Sequence, residues 1–261
     1  MMQQRSGLLR LHLALFYVFL YVPILVLMVL SFNKAGLPTV WTGFSLEWYG
    51  RLWHSPEILA AARNTLIVAV SATVLATIVG TMLAVGVETR RRKSAAMDAV
   101  LFAPMIIPDI VLAIALLSFY SLLNSTLGLH SIILSHTVFN IAFVAAVVRT
   151  RMRHFDHSIL EASADLGASE ITTFRRVLLP AIAPGVIAGA LLSFTLSIDE
   201  FIIAFFTAGP GSASTTLPMQ IYAMIRFGVT PEINAMATIV MFVSFAIVII
   251  AQRADKGAFT R

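Results

Sequence analysis

The sequence predicts an all-α membrane protein with six transmembrane helices. Its 261 residues are 59% hydrophobic and 12% charged, with a mean hydropathy of +0.90, whereas soluble domains are about half apolar. A membrane-crossing helix takes about 20 mainly apolar residues, with a range of roughly 17 to 25. Six runs reach that length: Leu11 to Phe32, Thr65 to Val87, Ala99 to Leu123, Ser131 to Val148, Ile182 to Phe206 and Ala235 to Ala251. Backbone amides find no water in hydrocarbon, which leaves helices or closed barrels. Runs this long lack the short alternating segments of barrel strands and are therefore helices. Together they are expected to form one bundle.

Each element follows from local chemistry. The first run is longer than the apolar core of a secretory signal and has no small-x-small cleavage site, so an uncleaved helix is expected. The outer segment from Asn33 to Asn64 carries Trp41, Trp48, Tyr49 and Trp53, whose part-polar rings favour the membrane–water interface. In the third run Pro104 and Pro108 can kink the helix just before Asp109 and free carbonyls there. Along the fifth run Ala181, Gly185, Gly189, Ser193 and Ser197 recur every four residues. Such a small-residue stripe lets another helix approach closely, and that helix could belong to this chain or to a paired subunit. Gly209-Pro210-Gly211-Ser212 marks a turn, followed by a short outer-surface helix from Leu217 to Phe227. Thr230-Pro231-Glu232 opens the last helix, with Thr as cap, Pro at the first position and a carboxylate near the positive end of the dipole. The expected boundaries are 1–63 for the first helix and outer segment, 64–252 for a five-helix core containing a cytoplasmic loop at 156–180, and 253–261 for a tail.

The formal charge of +5 is distributed by topology. Arg5 and Arg10, Arg90 to Lys93, Arg149, Arg151, Arg153, Arg175, Arg176, Arg253, Lys256 and Arg261 share one side, so of the 18 Lys and Arg only Lys34, Arg51, Arg63 and Arg226 fall on the other. The positive-inside rule then places both termini in the cytoplasm, and this placement argues against a nucleic-acid surface. With no cysteine there is no disulfide, thiolate metal site or cysteine nucleophile.

The most informative segment lies between the fourth and fifth runs. Asp156 can cap a short helix whose Ile159, Ala162, Ser163 and Leu166 share a face. Gly167 ends it in a left-handed conformation, Ser169 caps a second helix, and Pro180 is expected to stop it. Glu161-Ala162-Ser163, three residues, Gly167, nine residues, Val177, one residue and Leu179-Pro180 resemble the cytoplasmic loop of type I ABC importer permeases. Ser163 and Val177 depart from that pattern by small or conservative changes. The resemblance extends from about Asn64 to Ala251. It is nearest to the second permease subunit of spermidine/putrescine importers, particularly along Ser197-Ile198-Asp199-Glu200-Phe201, Pro108-Asp109-Ile110-Val111, Gly209-Pro210-Gly211 and Ile225-Arg226-Phe227-Gly228.

That resemblance implies a permease of the bacterial inner membrane. Glu161, Ala162, Ser163, Gly167, Leu179 and Pro180 would couple it to a cytoplasmic ATPase dimer, alongside a second related permease and an extracytoplasmic binding protein. The chain has no Gly-x-x-x-x-Gly-Lys-Ser/Thr phosphate loop of its own, so its energy must come from a partner.

Acids supply the cargo hypothesis. An intramembrane carboxylate is costly unless it faces a pathway or partner, and no Lys or Arg lies in any of the six runs. Asp109 is ten residues into its run, about 15 Å along at 1.5 Å per residue and hence near the midplane of a straight helix. Asp199 and Glu200 lie towards the outer end of theirs, as gate or solvated rim. Three acids without a base suit a cation, with Trp48, Tyr222 and Phe201 as candidate cation–π partners. Among permease cargoes, like-charge repulsion argues against anions such as sulfate or phosphonate, while polyamines, iron and thiamine stay open. A carrier or channel would use the acids but not the loop. Catalysis finds little support: Ser135 and His136 are adjacent and cannot face each other on a helix. No catalytic residue, metal site or cofactor is expected.

Overall fold

The computed structural model describes residues 2–34, 40–90, 94–156, 158–226, 228 and 230–258, with side chains described between Gly7 and Ala246. Arg91, Arg92, Lys93, Phe227 and Arg261 lie outside the described residues, as do the side chains of Arg5, Arg253 and Lys256. The helices are α1 (Met2–Leu30), α2 (Glu47–His54), α3 (Pro56–Glu88), α4 (Ala95–Ile106), α5 (Asp109–Leu122), α6 (Leu129–Met152), α7 (Ser158–Asp165), α8 (Glu170–Thr173), α9 (Leu179–Asp199), α10 (Ile202–Thr207), α11 (Leu217–Ile225) and α12 (Pro231–Ala258). Among the described residues extended pairing is limited to one bridge, Asn33 with Phe44.

Helix forms in all six predicted runs. Among the described residues four helices are long and apolar enough to cross a membrane, and α4 with α5 makes a fifth span if the bent pair is counted as one. The sixth run lies in α12, whose described apolar part is Pro231–Ala246.

Two compact units result where one bundle was expected: Met1–Leu59 with Ile221–Val248, and Ala60–Gln220 with Ile249–Arg261. In the first, the outer segment folds on buried Asn33. Its amide donates to Val40 O at 2.7 Å and its Oδ1 accepts from Thr42 N at 2.8 Å, while Trp48 Nε1 donates to Asn33 O at 2.8 Å. Phe32 stacks on both Phe44 and Tyr49. Trp48 and Tyr49 therefore serve the internal packing of this segment, and Trp41 and Trp53 are the exposed aromatics suited to anchoring.

In the second unit α6 is the central helix. Its Val144, Ala145, Val148 and Met152 pack with Ala76 and Ala84 of α3 and with Leu178 and Ile182. Phe139 meets Leu112 and Ala113 of α5 and Ile203 of α10, and Ile132 joins Val68 and Ala204. The small-residue stripe faces α6 of the same chain. A Cβ on Gly185 would lie 2.7 Å from Arg151 Cβ, one on Gly189 would lie 3.4 Å from Val144, and Ser197 bonds His136 at 2.7 Å.

Two expectations need correcting. The third span is not a straight helix with Asp109 deep along it. It breaks at Ile107-Pro108, and α4 and α5 diverge by 105°. Pro108 drives Ile107 into extended backbone, with ψ 132°, because the proline ring clashes with a helical predecessor. Asp109 is thus the first residue of α5, and a depth counted along a continuous helix does not apply. The second loop helix, for its part, does not stop near Pro180. A π-turn at Phe174–Leu178 joins α8 to α9, giving one 30-residue helix from Glu170 to Asp199. Its wider hydrogen-bond spacing shifts the ladder by one residue, so that Pro180 falls in the first turn of α9, where its missing N–H is tolerated.

Candidate functional site

The loop is built as its sequence demands. Asp156 Oδ1 accepts from Ser158 N at 3.0 Å at the start of α7. The end of α7 closes with Gly167 N donating to Ala164 O and Ala168 N to Ser163 O, a reciprocal pair that requires the left-handed residue found at Gly167, φ +77°. Ser169 Oγ accepts from Thr172 N at 3.3 Å. Ser163, which departs from the loop pattern, bonds the Thr173 hydroxyl at 2.8 Å and so ties α7 to the following helix. Leu160 and Phe174 pack against the core cluster. Ile159 and the 88%-exposed Leu166 point outward, as does Ile171 after the bend. Glu161 and Ala162 are exposed on the same short helix, Leu179 is half-buried and Pro180 exposed. The result is an elbow with an uncovered apolar ridge and the exposed carboxylates of Glu161, Asp165 and Glu170.

The acids occupy a different part of the same unit. Asp109 opens α5, and α5 packs on α10. Glu200 precedes α10 and caps it, its Oε1 accepting from Ile203 N at 2.7 Å. Leu112 and Ala113, one turn after Asp109, pack with Ile203, one turn after Glu200, so the two acids stand at neighbouring helix starts. Asp199 is exposed at the last position of α9. The structure therefore brings two of the three acids together, at helix ends created by breaks in the third and fifth spans. Helix N-termini favour carboxylates electrostatically, which offsets part of their mutual repulsion.

The aromatic candidates fare differently. Trp48 already carries a cation, with the Arg51 guanidinium 4.8 Å from its ring centroid. Phe201 lies against Phe205, and Tyr222 is 45% exposed. His136 bonds Ser197 rather than its neighbour Ser135, which instead meets Tyr120 Oη at 2.9 Å.

One interaction was missed by sequence reasoning. Arg149, counted above among the basic residues of one membrane face, is 5% exposed. Its Nε lies 3.2 Å from Glu88 and its Nη1 2.8 Å from Asp98, and its guanidinium lies over the Phe102 ring. It locks the ends of α3, α4 and α6 on that side. The available signal was two acids beside a basic run, but their partner lies 51 and 61 residues away.

An all-α chain with broken apolar spans and an exposed elbow between α6 and α9 has the build of a membrane transport component. Residues 76–256 match the family model described as "Binding-protein-dependent transport system inner membrane component", and the chain belongs to that family. It is 42% identical over 237 residues, 90% of this chain and 89% of the relative, to the spermidine/putrescine transport system permease protein PotC of Escherichia coli K12. It is 40% identical over 256 residues, 94% and 90% of the two chains, to the putrescine transport system permease protein PotI of the same organism. Among solved structures, a bacterial ABC transporter involved in import of the acidic polysaccharide alginate aligns with a TM-score of 0.79 at 16% identity, covering 97% of this chain and 96% of that one. The MetNI methionine ABC transporter aligns at 0.66 and 19%, over 80% and 97%. These structures share the fold of this chain. The protein is thus a multi-pass inner-membrane transport component and not an enzyme.

Proposed function

We propose that this chain is one of two related permease subunits of an ATP-driven importer, and that its cargo is a polyamine cation of the spermidine/putrescine kind. The observation that supports the cargo is the placement of Asp109 and Glu200 at the starts of two helices that pack together, α5 and α10, in a chain whose six apolar runs hold no Lys or Arg. The names of the relatives above agree with a polycation. An amine bridging both carboxylates relieves their repulsion, and two charge-assisted contacts are each worth about 1.5–3 kcal/mol. Asp199 forms the solvated rim.

The elbow of α7 and α8 docks in a cytoplasmic ATPase dimer through Glu161, Ala162, Ser163 and Gly167. Leu179 and Pro180, beyond the π-turn, carry its motion into α9. The binding protein delivers cargo on the opposite face, and both termini lie in the cytoplasm among anionic lipids.

The test is uptake of labelled spermidine and putrescine by the complex reconstituted with its binding protein. Asp109→Asn is expected to lower uptake about tenfold or more, with complex assembly intact. Unchanged uptake would remove Asp109 from the pathway.

A further inference from the structure

Between α6 and α9 a groove of about 370 Å³ opens on the second unit. Its floor is apolar, formed by Val147, Pro184, Gly185 and Ala188, and its mouth carries Arg151 and His154. No acidic side chain lines it. At Gly185 the two helices meet closely, since a Cβ there would lie 2.7 Å from Arg151 Cβ. The mouth is held open by backbone bonds. His154 Nδ1 donates to Thr150 O at 2.8 Å and Arg151 Nε donates to Ala181 O, which leaves the terminal guanidinium nitrogens of Arg151 as donors for another group, joined by His154 Nε2 in the imidazolium form.

The placement of these residues along the helices identifies the occupant. Val147 is in the last turn of the fourth apolar run and Ala188 in the first turns of the fifth, so the inner end of the floor lies inside the hydrocarbon. Gly185 stands level with Arg151 at the boundary, and His154 lies about a turn further out along α6. A ligand matching this groove is anionic at one end and aliphatic at the other, with the junction at the membrane boundary. We propose that the groove is a binding site for an anionic phospholipid, with the phosphate on Arg151 and His154 and an acyl chain along the floor. Basic clefts between helix ends at a membrane surface favour such headgroups. Arg153 lies outside the lining.

The test counts lipids on the assembled complex. The complex is extracted from vesicles of equal phosphatidylglycerol and phosphatidylcholine, and retained lipid is measured by native mass spectrometry. The wild type is expected to keep phosphatidylglycerol selectively. The Arg151→Gln, His154→Gln double variant should keep roughly tenfold less, while Arg153→Gln should match the wild type. Ala188→Phe, which leaves both basic groups and fills the floor, should also lose the lipid, and it decides the matter should the double variant not assemble. Equal retention of the two lipids, unchanged retention in Ala188→Phe, or an Ala188→Cys side chain that cross-links to the paired permease with no lipid bound would overturn the proposal. Polyamine uptake does not enter the readout, so this site and the cargo reading fail independently.

Discussion

Glu161 sits in the first turn of α7, exposed, where a carboxylate complements the positive end of the helix and a lysine would oppose it by about 0.5–1 kcal/mol. Its neighbours in the elbow are held by local bonds: the Ser163–Thr173 hydroxyl pair and the two backbone bonds around Gly167. A charge reversal at Glu161 therefore alters the proposed docking face without unmaking the bend. Glu161→Lys is expected to reduce co-purification of the ATPase severalfold while leaving the paired permease associated, and undiminished ATPase recovery would refute its docking role. Gly167 and the caps at Asp156 and Ser169 were legible in the sequence because each depends on residues within five positions. The Arg149 ion pairs were not, since nothing local selects Glu88 and Asp98 from the other acids of the chain.

Whole helices show the same division between near and far. The π-turn before Pro180 and the 105° break at Pro108 both answer a proline that cannot continue a regular ladder, yet one preserves the helix and the other ends it. Sequence marks each proline but not the outcome, which depends on what the following segment packs against. The partner of the small-residue stripe was equally open until the contacts of Gly185, Gly189 and Ser197 with α6 resolved it. Helix α3 offers a paired test of such close packing. A Cβ on Gly80 would fall 2.9 Å from Val144 Cβ and 3.0 Å from Ile141 O, whereas one on Gly86 meets nothing within 4 Å. Gly80→Ala should cost about 1–3 kcal/mol through overpacking. Gly86→Ala should gain about 0.5–1 kcal/mol from helix propensity. Thermal melts of the detergent-solubilised complex should therefore move in opposite directions. A shift of the same sign and size for both would mean that α3 does not approach α6 as described.

At the scale of the whole molecule, the elbow and the acids have meaning only if they face opposite compartments or the passage between them. The proposed orientation rests on the charge distribution, which by the positive-inside rule would set Lys34, Arg51, Arg63 and Arg226 opposite the other Lys and Arg. The chain contains no cysteine, so a single introduced thiol reports its own side without competing label. Ala164 on α7 and Ser212 in the turn after α10 are both exposed, and neither is among the residues assigned to coupling or cargo. In intact cells a membrane-impermeant maleimide should label Ser212→Cys and spare Ala164→Cys, and in inverted vesicles the pattern should exchange. Labelling of Ala164→Cys from outside would place the elbow beyond the reach of any cytoplasmic ATPase. The coupling mechanism would then fail even with every hydrogen bond of the loop intact, because the loop would have no motor to grip.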